Sequence, residues 1–198
     1  MTDKYYRSIS TAGERERRAD LMLGFPAVEC RDVNDTAALA EVLAGEVSGG
    51  LVIILSGELG AGKTTFTQCM AGALGVPGIK SPTFVTESIH QIPNRDFDLV
   101  HADLYRFDSV PPGSDTDLQL TEYLMAPRRA LLMVEWGERW MPPGDSDRWN
   151  IEIMSPNDGS DRRWFVMSAC GDDASRRLSR AYEAILDLWT AGSFGGSC

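Results

Sequence analysis

Histidine is nearly missing from this chain of 198 residues: His90 and His101 are the only two. A His-rich metal centre is therefore excluded by supply. Cysteine is sparse as well. Cys30, Cys69, Cys170 and Cys198 are scattered and form no Cys-x-x-Cys pair, which reads as reduced thiols and not as a disulfide framework or a zinc site. No apolar run approaches the ~20 residues of a membrane span, and Met1 to Asp20 lacks the apolar stretch of a signal peptide. A cytoplasmic protein with no membrane contact is expected. Basic charge is outnumbered, with 19 Lys and Arg against 29 Asp and Glu and a net charge of −10. That argues against broad, direct nucleic-acid binding, which leaves a basic footprint. Arg128-Arg129 or Arg162-Arg163 could contribute to a local basic patch, but solvated surface is the preferred reading of both pairs. Internal repeats are absent.

What is present begins with composition. Hydrophobic residues make up 43% of the chain, enough for one domain with a proper core. Residues 57–64 read Gly-Glu-Leu-Gly-Ala-Gly-Lys-Thr, a complete G-x-x-x-x-G-K-[ST] phosphate loop. The strand-like run Leu51 to Leu55 precedes it and the helix-like run Thr65 to Ala71 follows it. Glycines let the backbone curl so that its N–H groups face a polyphosphate. Lys63 adds a point charge at the β/γ-phosphates, and the Thr64 hydroxyl can ligate Mg²⁺. The following helix directs its positive N-terminal end at the anion. Candidate nucleotide-binding residues are thus Gly57, Glu58, Leu59, Gly60, Ala61, Gly62, Lys63, Thr64 and Thr65.

The rest of the chain alternates helices and strands. Asp35 to Leu43 has helical spacing at Leu39, Val42 and Leu43, with Asn34 or Asp35 as its cap. Gly75 is placed as a helix C-cap, and Pro77-Gly78 as a turn. Val85 to Ile92 and Phe97 to Ala102 flank Pro93-Asn94-Arg95-Asp96 as an antiparallel hairpin. Pro111 to Asp115 is a loop and Leu118 to Leu124 a short helix. Ala130 to Val134 is continuously apolar, as a central strand of an α/β sheet should be. Trp149 to Met154 and Arg162 to Met167 form a second hairpin, and Ala174 to Trp189 a closing helix. The expected fold is a P-loop NTPase α/β domain over residues 27–190. It has a mostly parallel central sheet, flanking helices and antiparallel hairpins, with an N-terminal extension over 1–26 and a flexible tail over 191–198.

A phosphate loop needs acidic help, because Mg²⁺ prefers octahedral oxygen ligands. Asp103 and Glu135 each end a strand. Either can hold the metal, directly or through water, or orient an attacking water. In Ser81-Pro82-Thr83, Pro82 stiffens an extended segment that presents the Thr83 hydroxyl to the γ-phosphate or the metal; a simple turn at a strand start is the plainer alternative. Trp136 packs near the nucleotide, against a partner, or in the core. No Asn-Lys-x-Asp element appears, which disfavours a GTPase. No Arg-rich lid stands out, which weakens a small-metabolite kinase. Ser48-Gly49-Gly50 lies on the wrong side of the loop for an ABC-type signature.

Taken in order, Gly-Glu-Leu-Gly-Ala-Gly-Lys-Thr-Thr, Ser-Pro-Thr-Phe, His-Ala-Asp-Leu-Tyr-Arg and Val-Glu-Trp resemble the bacterial TsaE family, over roughly Val28 to Met167. The resemblance implies a weak ATPase of tRNA threonylcarbamoyladenosine biosynthesis. Such a protein uses ATP and Mg²⁺ and acts with the TsaB and TsaD proteins, which carry out transfer to adenosine 37 of ANN-decoding tRNAs. The excess of acidic residues adds the expectation that tRNA is met indirectly, through the partner proteins. By position, the resemblance makes Lys63 and Thr64 the loop residues, Thr83 part of a switch-like segment, Asp103 the acid of the His-x-Asp motif, Glu135 the Walker-B-like acid and Trp136 its neighbour. The alternatives are a stand-alone small-molecule kinase and a nucleotide-dependent switch with negligible turnover.

Overall fold

The computed structural model describes residues 27–81, 87–126, 129–144, 146–156 and 158–190. The expected N-terminal extension and C-terminal tail, and Thr83 with its neighbours Pro82 and Phe84, lie outside the described residues. Along the chain come β1 (Val28–Cys30), α1 (Val33–Glu46), β2 (Val52–Ser56), α2 (Lys63–Ala73), β3 (Glu87–Gln91), β4 (Asp98–Asp103), α3 (Asp115–Met125), β5 (Ala130–Glu135), a 3₁₀ turn (Gly137–Arg139), β6 (Arg148–Met154), β7 (Arg163–Cys170) and α4 (Asp172–Thr190).

The strands form one sheet in the order β1-β7-β6-β2-β5-β4-β3. The four middle strands, β6, β2, β5 and β4, run parallel. The outer pairings are antiparallel, at β3 with β4, β6 with β7 and β1 with β7. Strands covered on both faces must be apolar at every position, and β5 is buried from end to end. Alternation then sorts the side chains. Ile53, Leu55, Leu131 and Met133 meet one layer built with Leu39 and Leu43 of α1, Phe66 and Met70 of α2, and Leu178 and Ile185 of α4. Val52, Ile54, Leu132 and Val134 meet Leu120 and Leu124 of α3, and Trp140.

Several boundaries differ from the sequence expectation for identifiable reasons. The cap of α1 is Asp32, whose carboxylate accepts from the N–H groups of Asn34 at 2.8 Å and Asp35 at 3.0 Å. Asp35 turns back instead to accept from the Arg31 side chain at 2.9 Å. That pairing holds the Asp35 carboxyl below its usual range. Helix α2 starts at Lys63 and not at Thr65, so the end of the phosphate loop is already the first helical turn. Its C-cap is Leu74, one residue before the expected Gly75, which follows with φ 80°; there Val76 N–H reaches Ala71 O at 2.8 Å and Gly75 N–H reaches Gly72 O at 3.0 Å. Ser114 caps α3, so Asp115 belongs to the helix and not to the preceding loop. Strand β1 was not anticipated: it is only 3 residues long and is defined by its pairing with β7, too short for a periodic signal.

Candidate functional site

Residues 57–62 join the carboxyl end of β2 to the N-terminus of α2. Three glycines there have positive φ: Gly57 at 138°, Gly60 at 80° and Gly62 at 107°. Gly57 is also pressed against β6, where a Cβ would lie 2.3 Å from the Ile153 carbonyl oxygen. No other residue fits that position. Glu58, Leu59 and Gly60 are exposed at the crest, and Ala61 is buried beneath them. Arg163 braces the loop from β7, its Nε donating to Ala61 O at 3.0 Å. The Arg162-Arg163 pair is therefore not uniformly solvated surface. Arg162 is exposed and ion-paired to Asp158 at 2.6 Å, whereas Arg163 turns inward to the loop. Arg129 is exposed as expected, and Arg128 lies outside the described residues.

Lys63 is only 5% exposed. Its ammonium donates to Gly57 O at 2.7 Å and Glu58 O at 2.9 Å. It also lies 3.7 Å from the centroid of the Trp136 ring. Burial lowers its pKa, opposed by the nearby carboxylates of Glu135, Glu138 and Asp103. Trp136 has a left-handed backbone, with φ 57°. Its half-buried ring touches the second core layer and also covers Lys63, so the core alternative holds and the ring lies beside the loop lysine as well. Arg139 was missed by sequence reasoning. Its guanidinium lies 4.6 Å from the same ring. It also donates to the carbonyls of Leu104 and Phe107 at 3.1 and 2.6 Å. Arg139 thus pins the segment after β4 beside the loop.

Asp103 and Glu135 end adjacent parallel strands and are register partners. Glu135 also pairs with Leu55, two residues before the loop. Both acids thus lie at the carboxyl ends of central strands, the edge at which open α/β sheets bind ligands. Glu135 is 2% exposed and accepts from the Thr64 hydroxyl at 2.7 Å. Its other oxygen faces His101 Nε2 at 2.8 Å. Asp103 is less buried; it accepts from Ser81 Oγ at 3.0 Å and from Tyr105 N–H at 2.9 Å. The structure therefore brings together Lys63, Thr64, Glu135, Asp103 and Trp136, with Thr65 exposed on the first turn of α2. His101 was another omission from the candidate residues. Its signal was a lone polar residue in the apolar run before Asp103, two positions away and so on the same face.

These groups suit magnesium and phosphate. A hydroxyl and two carboxylates are hard oxygen donors. Among the described residues no three His, Cys, Asp or Glu side chains converge on one point. A magnesium ion here would complete its shell from phosphate and water, as this ion usually does.

A parallel α/β core, a glycine loop entering a helix and acids at neighbouring strand ends define the P-loop class of fold. The family profile described as "Threonylcarbamoyl adenosine biosynthesis protein TsaE" matches residues 30–164, and the chain belongs to the TsaE family. Relatives named "tRNA threonylcarbamoyladenosine biosynthesis protein TsaE" include one from Bacillus subtilis, 34% identical over 145 residues, covering 72% of this chain and 85% of the relative. Another, from Streptomyces coelicolor, is 36% identical over 119 residues, covering 58% of this chain and 76% of the relative. The crystal structure of YdiB from Bacillus subtilis superposes with a TM-score of 0.60 at 26% identity, covering 80% of this chain and 94% of YdiB.

Proposed function

We propose that this chain binds and hydrolyses Mg-ATP in support of threonylcarbamoyl modification of adenosine 37 in ANN-decoding tRNAs. It acts with the TsaB and TsaD proteins in the cytoplasm. The observation that carries the reading is the bond from Thr64, at the foot of the phosphate loop, to Glu135 on a separate strand. It joins the two oxygen donors that P-loop chemistry requires for a metal.

The residues divide the work. The N–H groups of 57–62 and the Lys63 ammonium receive the β/γ-phosphates. Lys63 exchanges its two neutral carbonyl partners for phosphate oxygens, which make stronger charge-assisted contacts. Magnesium, when bound, neutralises charge developing on the phosphoryl oxygens. Thr64 and one of the two acids hold it, and the other acid orients the attacking water. Thr83, outside the described residues, is assigned by the family resemblance to a switch-like segment whose hydroxyl would serve the γ-phosphate or the metal. Trp136 shields Lys63 from water. The threonylcarbamoyl transfer belongs to the partners, and hydrolysis here supports their turnover.

The test is calorimetry of ATP on wild type and Lys63→Ala. Most of the affinity should disappear in the variant, and unchanged binding would overturn the nucleotide site. Product analysis with the partners present then separates classes. Free phosphate marks an ATPase, a phosphorylated acceptor a kinase, and neither product a switch.

A further inference from the structure

His101 occupies a position in β4 where an apolar residue would be expected. It is fully buried, and its strand neighbours in register are Met133 on β5 and Ser88 on β3. A buried imidazole needs a polar reason to be there. Its Nδ1 has no hydrogen-bond partner among the described residues. All its polar work is therefore done by Nε2, which meets Glu135 Oε1 at 2.8 Å. With the carboxylate accepting, Nε2 carries the hydrogen. The second oxygen, Oε2, is left to Thr64 at 2.7 Å.

A carboxylate on a flexible Glu side chain can rotate and present either oxygen. Here one oxygen is held from β4 and the other is turned to the foot of the loop. We propose that His101 is a positioning residue. It fixes the Glu135 carboxylate so that Oε2 faces Thr64, where the two would together hold a magnesium ion, in the way that partners behind a ligand orient it. The proposal rests on the assignment of Glu135 to the Mg-ATP site. The residues are far apart in sequence, and nothing in the spacing of His101 and Glu135 shows that they meet.

The test uses the full-length chain with His101→Phe, which keeps a ring but removes the donor, and His101→Gln, whose amide restores one. The readout is the gain in ATP affinity on adding Mg²⁺, measured by calorimetry and independent of turnover. His101→Phe should lose about tenfold of that gain, the lower end of the usual effect of such partners. His101→Gln should recover most of it. In a Glu135→Gln background, His101→Phe should add no further loss, since two changes on one path do not add. With the partners present, the same pair should separate in kcat for phosphate release more than in KM for Mg-ATP. Thermal unfolding of both variants identifies simple misfolding. If Phe keeps the wild-type magnesium gain, or Gln fares no better than Phe, His101 is only filling space and the proposal fails. If Lys63→Ala binds ATP like wild type, the underlying nucleotide site fails, and the role of His101 with it.

Discussion

At the scale of single residues, the two acids differ in their surroundings. Glu135 is sealed between Thr64 and His101, while Asp103 is tied to Ser81 and the backbone of Tyr105. Neither is hydrogen-bonded to the N–H groups of residues 57–62 among the described residues. Their replacement should therefore spare ground-state phosphate binding and act on metal and water placement, which matter most in the transition state. Glu135→Gln and Asp103→Asn are each expected to lower kcat for phosphate release by at least ~100-fold, while ATP affinity measured without Mg²⁺ moves far less. Phosphate release in the presence of partners, set beside calorimetric affinity, checks this. Wild-type release from both variants would remove both acids from the reaction. Cys30 shows the opposite case, a reactive group made inert. Burial is the main cause that pushes its thiol up to about 12, against a hydrogen bond with Thr36 that lowers it, so little thiolate forms near neutral pH.

At the scale of elements, the entry to α1 concentrates charge. Asp32 caps the first turn, and Asp35 is held by Arg31. Asp32→Ala should cost about 1 kcal/mol, the usual loss for an acidic N-cap, read as a shift in the urea midpoint. The pH dependence follows from Asp35. Its folded pKa is depressed, chiefly by the Arg31 hydrogen bond. The unfolded chain therefore binds more protons than the folded one in the acid range, and stability rises with pH there. The Asp35 contribution is fully present above the ordinary carboxylate pKa of about 4. It is lost as pH falls through the lower folded value. Asp35→Asn should flatten that acid limb in urea titrations run between about pH 3 and 6. An unchanged slope would show that the ion pair does not persist in solution.

At the scale of the whole molecule, the excess of acid dominates. A chain with net charge −10 lacks the cationic footprint whose counterion release drives RNA binding. Arg163 is committed to the loop, and Arg162 is paired to Asp158. Among the described residues, no helix is long and apolar enough to cross a membrane. In anisotropy titrations at physiological salt, the isolated chain should bind tRNA weakly, and the signal should fade further as salt rises. Tight, salt-resistant binding would show that a local basic surface outweighs the global charge, and would place direct RNA contact on this chain.

The phosphate loop was legible in the sequence because its conformation is local. Glycines at 57, 60 and 62 take φ values that other residues avoid, and Lys63 and Thr64 follow on the same short stretch. The apolar runs of β2 and β5 were equally legible, since strands buried on both faces must be apolar throughout. The two acids could be found as strand ends, but not their separate roles. Tertiary structure alone decided which side chains meet. Thr64 finds Glu135 across 71 positions, His101 finds it across 34, and Arg163 reaches Ala61 across 102. These meetings depend on the strand order that sets β5 between β2 and β4. The same apolar pattern is compatible with other orders, because burial rewards area removed from water without regard to which strand supplies it. Strand β1 and the stacking of Trp136 on Lys63 arise in the same way, as products of pairing and packing between segments with no local signal for each other.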